Sequence, residues 1–169
     1  IRDRTNLSDV QCGSNPQLSI IETGEKINVR SLSIGDCAFR SLEFINSFPL
    51  LQALSCSSNN LTSLDLSELP LLRSVDCSDN KKLVHLQIPE QNSVNPILQN
   101  LDCSFCYLDE KELNAIFCVL PVAPNPYPEY PSGYGITFNG NPGSENCDRK
   151  LVEDKGWNIF VNPEDLINR

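Results

Sequence analysis

The segment Leu51-x-x-Leu54-x-Cys56-x-x-Asn59 decides the fold, because the chain repeats it at Leu72-x-x-Val75-x-Cys77-x-x-Asn80. All four defining positions recur after 21 residues. A fixed period of this length predicts a stack of similar coils, in which no coil buries its apolar edge without a neighbour. Two further copies are Val29-x-x-Leu32-x-Ile34-x-x-Cys37 and Leu98-x-x-Leu101-x-Cys103-x-x-Cys106.

Each copy continues into a second half with apolar residues again spaced for extended chain. The clearest is Leu61-x-x-Leu64-x-Leu66, and the others are Phe39-x-x-Leu42-x-Phe44 and Leu83-x-x-Leu86-x-Ile88. Spacing with period two predicts that both halves are extended rather than helical. Asn59 and Asn80 should turn the chain, each amide bonding backbone groups of the adjacent coil. The sequence therefore predicts an α/β leucine-rich repeat solenoid, with a parallel sheet on the concave face and extended convex half-repeats.

The organisation along the chain is that of one domain spanning residues 1–169. We expect residues 1–26, which lack the repeat, to form an N-terminal cap, and residues 27–108 to form about four repeats. Residues 109–169 should be a helix-containing C-terminal cap. Asp109 and Glu112 form a capping box that starts a helix ending before Pro121. A strand over 136–138, a helix over 144–155 and a strand over 157–161 should follow.

The form of the repeat is similar to the 21-residue repeat LxxLxCxxNxLxxLxLSxxPx of surface proteins of Bacteroides and related bacteria. The likeness extends to a closing segment, carried by residues 113–121, 136–143 and 155–157, so that it covers roughly residues 27–161. It implies an exported protein at the cell surface, in the periplasm or secreted, and lipid anchoring through a segment upstream of Ile1 is one alternative. It also implies a role in recognition.

The composition of the chain limits the classes of partner that the protein is expected to bind. The net charge is −9, and the largest basic cluster is Lys81-Lys82. Nucleic acid is therefore not an expected partner, because neutralising phosphates needs many basic residues on one face. No apolar run approaches the roughly 18 residues of a membrane span. We expect a monomer that binds a protein or a glycan, and the alternative is a structural spacer with no ligand.

The eight cysteines do not suggest a cofactor or metal site. Cys56, Cys77 and Cys103 occupy a core position of the repeat, which predicts a ladder of buried thiols. Cys103 and Cys106 spell C-x-x-C, a pattern used in redox and zinc sites, but the repeat register makes Cys106 a substitute for the turn asparagine. Cys37 has the same role. For Cys118 and Cys147, either a disulfide or a buried Cys147 thiol is compatible with the sequence.

Candidate binding residues follow from the outward positions of the first half-repeats. That face should be small, polar and mildly acidic, suited to hydrogen bonding or only to keeping the sheet soluble. The prolines and tyrosines of residues 122–134 should form a loop that packs over the first helix or makes a contact patch. His85, the only histidine, should be solvated on the convex side, and we predict no catalytic residues. The candidate residues are Ser33, Ser55, Asp76, Asn100, Asp102 and Phe105 on the sheet, and Tyr127 and Tyr130 in the loop.

Overall fold

A computed structural model of the protein describes residues 7–24, 28–90, 98–124 and 133–161. Its main feature is one parallel sheet of seven short strands in a solenoid-like α/β arrangement. A second, two-stranded parallel sheet contains β4 (Ser63–Asp65) and β6 (His85–Gln87). The seven-stranded sheet contains, in spatial order, β1 (Asp9–Gln11), β2 (Ser31–Ser33), β3 (Ala53–Ser55), β5 (Ser74–Asp76), β7 (Asn100–Asp102), β8 (Gly135–Thr137) and β9 (Asn158–Phe160).

The strands are held in one register by their central apolar residues. Leu54 on β3 lies beside Leu32 on one side and Val75 on the other, and all three are buried. Alternating side chains of a strand point to opposite faces, so the residues on either side of each central one face outward. The aligned central residues are Val10, Leu32, Leu54, Val75, Leu101, Ile136 and Ile159.

Buried asparagines join successive coils just beyond the strands. The Asn80 amide donates to the Cys77 carbonyl of its own coil at 2.9 Å and to the Cys56 carbonyl of the preceding coil at 3.0 Å. Its Oδ1 accepts the Leu61 N–H at 3.1 Å. The prediction that these amides bond the adjacent coil is confirmed. We call the aligned residues the turn ladder: Asn15, Cys37, Asn59, Asn80, Cys106 and Asn141.

Two rungs of the turn ladder are thiols. Cys37 Sγ donates to the Cys12 carbonyl at 3.4 Å, and Cys106 Sγ donates to the Cys77 carbonyl at 3.3 Å. Each thiol therefore reaches the preceding coil as an amide does. The prediction that Cys37 and Cys106 replace the turn asparagine is confirmed.

The residue before each of these rungs has a left-handed backbone. Its N–H continues the pairing of the sheet, as where Ser58 N–H donates to the Ser78 carbonyl at 2.9 Å. Serine and aspartate tolerate a positive φ better than branched residues do, because their short side chains bond local backbone. The position is occupied by Ser14, Asp36, Ser58, Asp79, Phe105 and Gly140, with φ between 52° and 74°.

Cys56, Cys77 and Cys103 are completely buried, which confirms the thiol ladder. Burial raises the pKa of Cys56 and Cys103, and contact with Cys106 together with burial raises that of Cys77. All eight cysteines are free thiols. Cys118 is exposed and Cys147 is buried, so the second alternative for this pair, a buried Cys147 thiol, is the one observed.

A thiol-reactivity measurement tests this arrangement. We expect the native protein at pH 8 to present one rapidly modified thiol, Cys118, because this thiol is exposed whereas the others, apart from Cys12, are buried away from the reagent. Cys12, which is partly buried, should react more slowly. Unfolding without reductant should release all eight. Two missing thiols after unfolding would indicate a disulfide, and a fast phase that persists in Cys118→Ser would show that the core is open.

The second half-repeats agree with the prediction in two coils and differ from it in one. β4 and β6 are extended, as expected. The segment after Leu42 is instead a 3-10 helix, Glu43–Ser47, so the extended prediction for this half-repeat is wrong. The buried residues within and beside this helix, Leu42, Ile45, Phe48 and Leu51, are three apart, which is the period of a 3-10 helix. Each of the last three donates its N–H to the carbonyl of the one before.

The N-terminal segment contributes a strand in register with the repeat. β1 pairs with β2 in parallel, and Val10 aligns with Leu32. The sequence Leu7-x-x-Val10-x-Cys12-x-x-Asn15 is therefore a further copy of the repeat. The expectation that residues 1–26 lack the pattern therefore fails from Leu7 onward.

Two helices in the described part of the chain pack against the C-terminal strands and β6. The helix α1 spans Glu110–Val119, and Asp109 caps it by accepting the Glu112 N–H at 2.8 Å. The helix α2 spans only Lys150–Glu153, shorter than the predicted 144–155. The preceding residues form turns instead, because Gly143 is held against the start of α1 by a 3.0 Å bond from its N–H to the Leu108 carbonyl. No helix in the described ranges is both long and apolar enough to cross a membrane.

Candidate functional site

The outward side chains of the seven-stranded sheet form a surface that we call the polar face. Because the strands share one register, these side chains line up in two rows across the sheet. The first row is Asp9, Ser31, Ala53, Ser74, Asn100, Gly135 and Asn158. The second row is Gln11, Ser33, Ser55, Asp76, Asp102, Thr137 and Phe160.

Two carboxylates lie side by side in the second row. Asp76 and Asp102 are register partners on neighbouring strands, so their Cα atoms are about 4.8 Å apart. Each accepts two bonds at Oδ1 from the serine two residues on: Asp76 from Ser78 N and Oγ at 3.1 and 2.6 Å, and Asp102 from Ser104 N and Oγ at 2.9 and 2.6 Å. These bonds fix the carboxylate orientations.

The electrostatics of the polar face differ between its two edges. Burial raises the pKa of Asp102, an effect that the bonds from Ser104 oppose and the nearby charges of Asp76 and Asp79 increase. At the opposite ends of the strands, Arg30 and Arg73 are exposed. Arg73 precedes Asp76 by three residues, a distance of about 10 Å along an extended chain. Arg30 and Arg73 therefore lie near the ends of the strands that are away from the carboxylate pair.

The structure brings most of the predicted site residues together. Ser33, Ser55, Asp76 and Asp102 lie in the second row, and Asn100 lies in the first. Phe105 lies beyond the strand, at the left-handed turn, where its ring covers Gly140 so closely that a Cβ on that glycine would overlap it. Tyr127 and Tyr130 lie outside the described residues.

Sequence reasoning missed Phe160. This residue follows Thr137 in the second row, and it is 51% exposed. Its ring lies over Gly135 of the neighbouring strand, whose missing Cβ leaves the space that the ring occupies. Aligning Ile159 with Ile136 would have placed Phe160 on the outward face, so a register argument could have found it.

The histidine, which could serve in catalysis or metal binding, lies apart from the polar face. His85 Nδ1 is 2.7 Å from Glu112 Oε1, and the same oxygen accepts the Leu86 N–H at 2.9 Å. His85 is exposed on β6, on the second sheet, as predicted for a solvated residue there. Within the ranges that the structure describes, no group of three or more His, Cys, Asp or Glu side chains is arranged to hold a metal ion.

Grooves lie elsewhere on the surface, and two of them include an aromatic side chain in their lining. One, of about 640 Å³, is lined by Ile20, Phe44 and Arg40 among others, next to the 3-10 helix. The other, of about 610 Å³, lies beyond the ends of β7 and β8, and its lining includes Tyr107, Arg149 and Val161. Tyr107 is 60% exposed, so this groove also offers an aromatic side chain.

Comparison with known proteins gives no assignment, since no protein-family model matches the chain and no curated protein matches it either.

Proposed function

We propose that this protein is a non-catalytic recognition module, a leucine-rich repeat solenoid of an exported bacterial surface protein, that binds a protein or glycan through its polar face. The observation that carries the proposal is the register. It aligns mostly small and polar residues in two rows across seven strands. An extended row of hydroxyls, amides and carboxylates on a rigid sheet suits a ligand that lies across several strands.

The carboxylate pair is the part of this face most suited to fixing a ligand. Ser78 and Ser104 hold Asp76 and Asp102 through Oδ1, so Oδ2 of each can accept hydrogen bonds from outside. Pre-oriented acceptors cost a ligand less ordering entropy than free side chains do. The repeat sequence, with its Cys and Asn positions filled as in the bacterial repeat, supports the assignment to exported surface proteins.

The test is a binding screen of the purified domain against extracellular host proteins and glycans, run beside the double variant Asp76→Arg plus Asp102→Arg. We expect a bound ligand to lose at least roughly tenfold in affinity, because the variant removes two acceptors and reverses the charge at the centre of the second row. Thermal unfolding of the variant should show that the fold is kept.

A matched control is available on the other sheet. Asp65 on β4 also accepts the N–H of the serine two residues on, Ser67, at 2.9 Å, and hydrogen bonds from the Ser67 side chain and backbone lower the pKa of Asp65. The variant Asp65→Arg plus Glu68→Arg makes the same change of charge on an exposed surface away from the polar face. Equal loss in both variants would indicate a general charge effect and contradict the proposal. The absence of any ligand would favour a spacer.

A further inference from the structure

The exposed ring of Phe160 is the only outward aromatic side chain in the two rows of the polar face. The rest of the protein leaves this residue 51% exposed. The space that it occupies is made by Gly135, since a Cβ there would overlap Cε2 and lie 3.1 Å from Cζ. The ring is thereby supported from below by backbone and held against the sheet.

Polar residues occupy the neighbouring strands next to this ring. Thr137 is its register partner on β8, and Asn100 lies one strand further on, beside Gly135. In the portion of the chain that the structure describes, neither the Thr137 hydroxyl nor the Asn100 amide makes a hydrogen bond. Asp102, two strands from Phe160 at about 10 Å, adds a fixed carboxylate.

The exposed ring and its polar neighbours favour a glycan over a protein, the two classes of ligand that the proposed function leaves open. Protein interfaces draw most of their energy from several buried aromatic and arginine anchors, whereas this end of the face offers one ring with small polar neighbours. A pyranose has an apolar face of C–H groups and an edge of hydroxyls, which matches a ring bordered by hydroxyl, amide and carboxylate groups. The net charge of −9 disfavours anionic sugars.

We infer that the ligand is a neutral glycan, an inference that rests on the proposed function and specifies its ligand. One sugar ring stacks on Phe160, and its hydroxyls bond Thr137, Asn100 and Asp102. The chain of sugars then continues along the second row towards Asp76. Phe160 is the residue that determines specificity for a carbohydrate over a peptide.

The experiment is an array of neutral, acidic and amino-containing oligosaccharides, followed by calorimetry on the glycans that bind. Four proteins are compared: the wild type, Phe160→Ala, Phe160→Tyr and Tyr107→Ala. We expect neutral glycans to bind, with affinity reduced about tenfold in Phe160→Ala. The affinity should equal that of the wild type in Phe160→Tyr, which retains the ring. It should also be unchanged in Tyr107→Ala, which removes an exposed aromatic side chain from a separate groove.

The outcomes separate this inference from the proposed function. Binding only to proteins or to acidic glycans overturns the inference and leaves the recognition role intact. Neutral-glycan binding that is unchanged in Phe160→Ala, or lost only in Tyr107→Ala, overturns the placement of the site at Phe160. If no ligand of any class binds, the proposed function fails together with the inference.

Discussion

Replacing Asn80 with alanine should lower the free energy of unfolding by about 4 kcal/mol. Asn80 is completely buried, and its amide bonds carbonyls of two coils while its Oδ1 accepts the Leu61 N–H. Alanine would leave these backbone groups buried and without partners, each at a cost of about 1–3 kcal/mol. Urea unfolding followed by circular dichroism measures the change.

The chain supplies two matched comparisons for this variant. Asn80→Cys copies the rungs at Cys37 and Cys106, which still donate to the preceding coil, so about half of the loss should be recovered. Asn60→Ala changes an exposed neighbour of Asn59 and should have little effect. If Asn80→Ala were no more harmful than Asn60→Ala, the turn ladder would not be a source of stability.

Replacing Gly143 with alanine should cost about 3 kcal/mol, since the new methyl group meets backbone rather than flexible side chains. A Cβ there would overlap Glu110 N and the carbonyl carbon of Asp109, at the start of α1. The loop cannot move away easily, because the Gly143 N–H bonds the Leu108 carbonyl. Thermal unfolding should show the loss.

Gly133→Ala is the control for this substitution. A Cβ on Gly133 meets no atom within 4 Å, so the same change of composition should leave the unfolding temperature nearly unchanged. Equal effects of the two variants would show that the approach of Gly143 to α1 is not tight in solution.

Much of the sheet was predictable because its signal is repeated. The alignment of Cys56 with Cys77 and of Asn59 with Asn80 places strands, buried thiols and turns in one step, and the structure agrees on each. The second half of the repeat that begins at Val29 was not predictable from the alignment of the repeats. Phe39-x-x-Leu42-x-Phe44 fits an extended pattern, but the later residues Ile45 and Phe48 favour a three-residue period.

The candidate site was only partly predictable, for a physical reason. Outward positions carry no constraint from packing, so the repeat indicates where Ser33, Ser55, Asp76 and Asp102 point but not what they bind. The orientation of the carboxylates depends on Ser78 and Ser104, contacts that are visible only in three dimensions. The support of Phe160 by Gly135 depends likewise on two strands far apart in sequence.

The turn ladder has a consequence for how such a surface can change. The residues that join the coils lie inside the stack, while the two rows of the polar face lie outside it on the same strands. Mutations in the rows therefore leave the joints untouched. Selection, or a combinatorial library made in the laboratory, can rewrite Ser33, Ser55 or Asp76 one coil at a time. The chemistry of the polar face can therefore change while the bonds that join the coils stay the same.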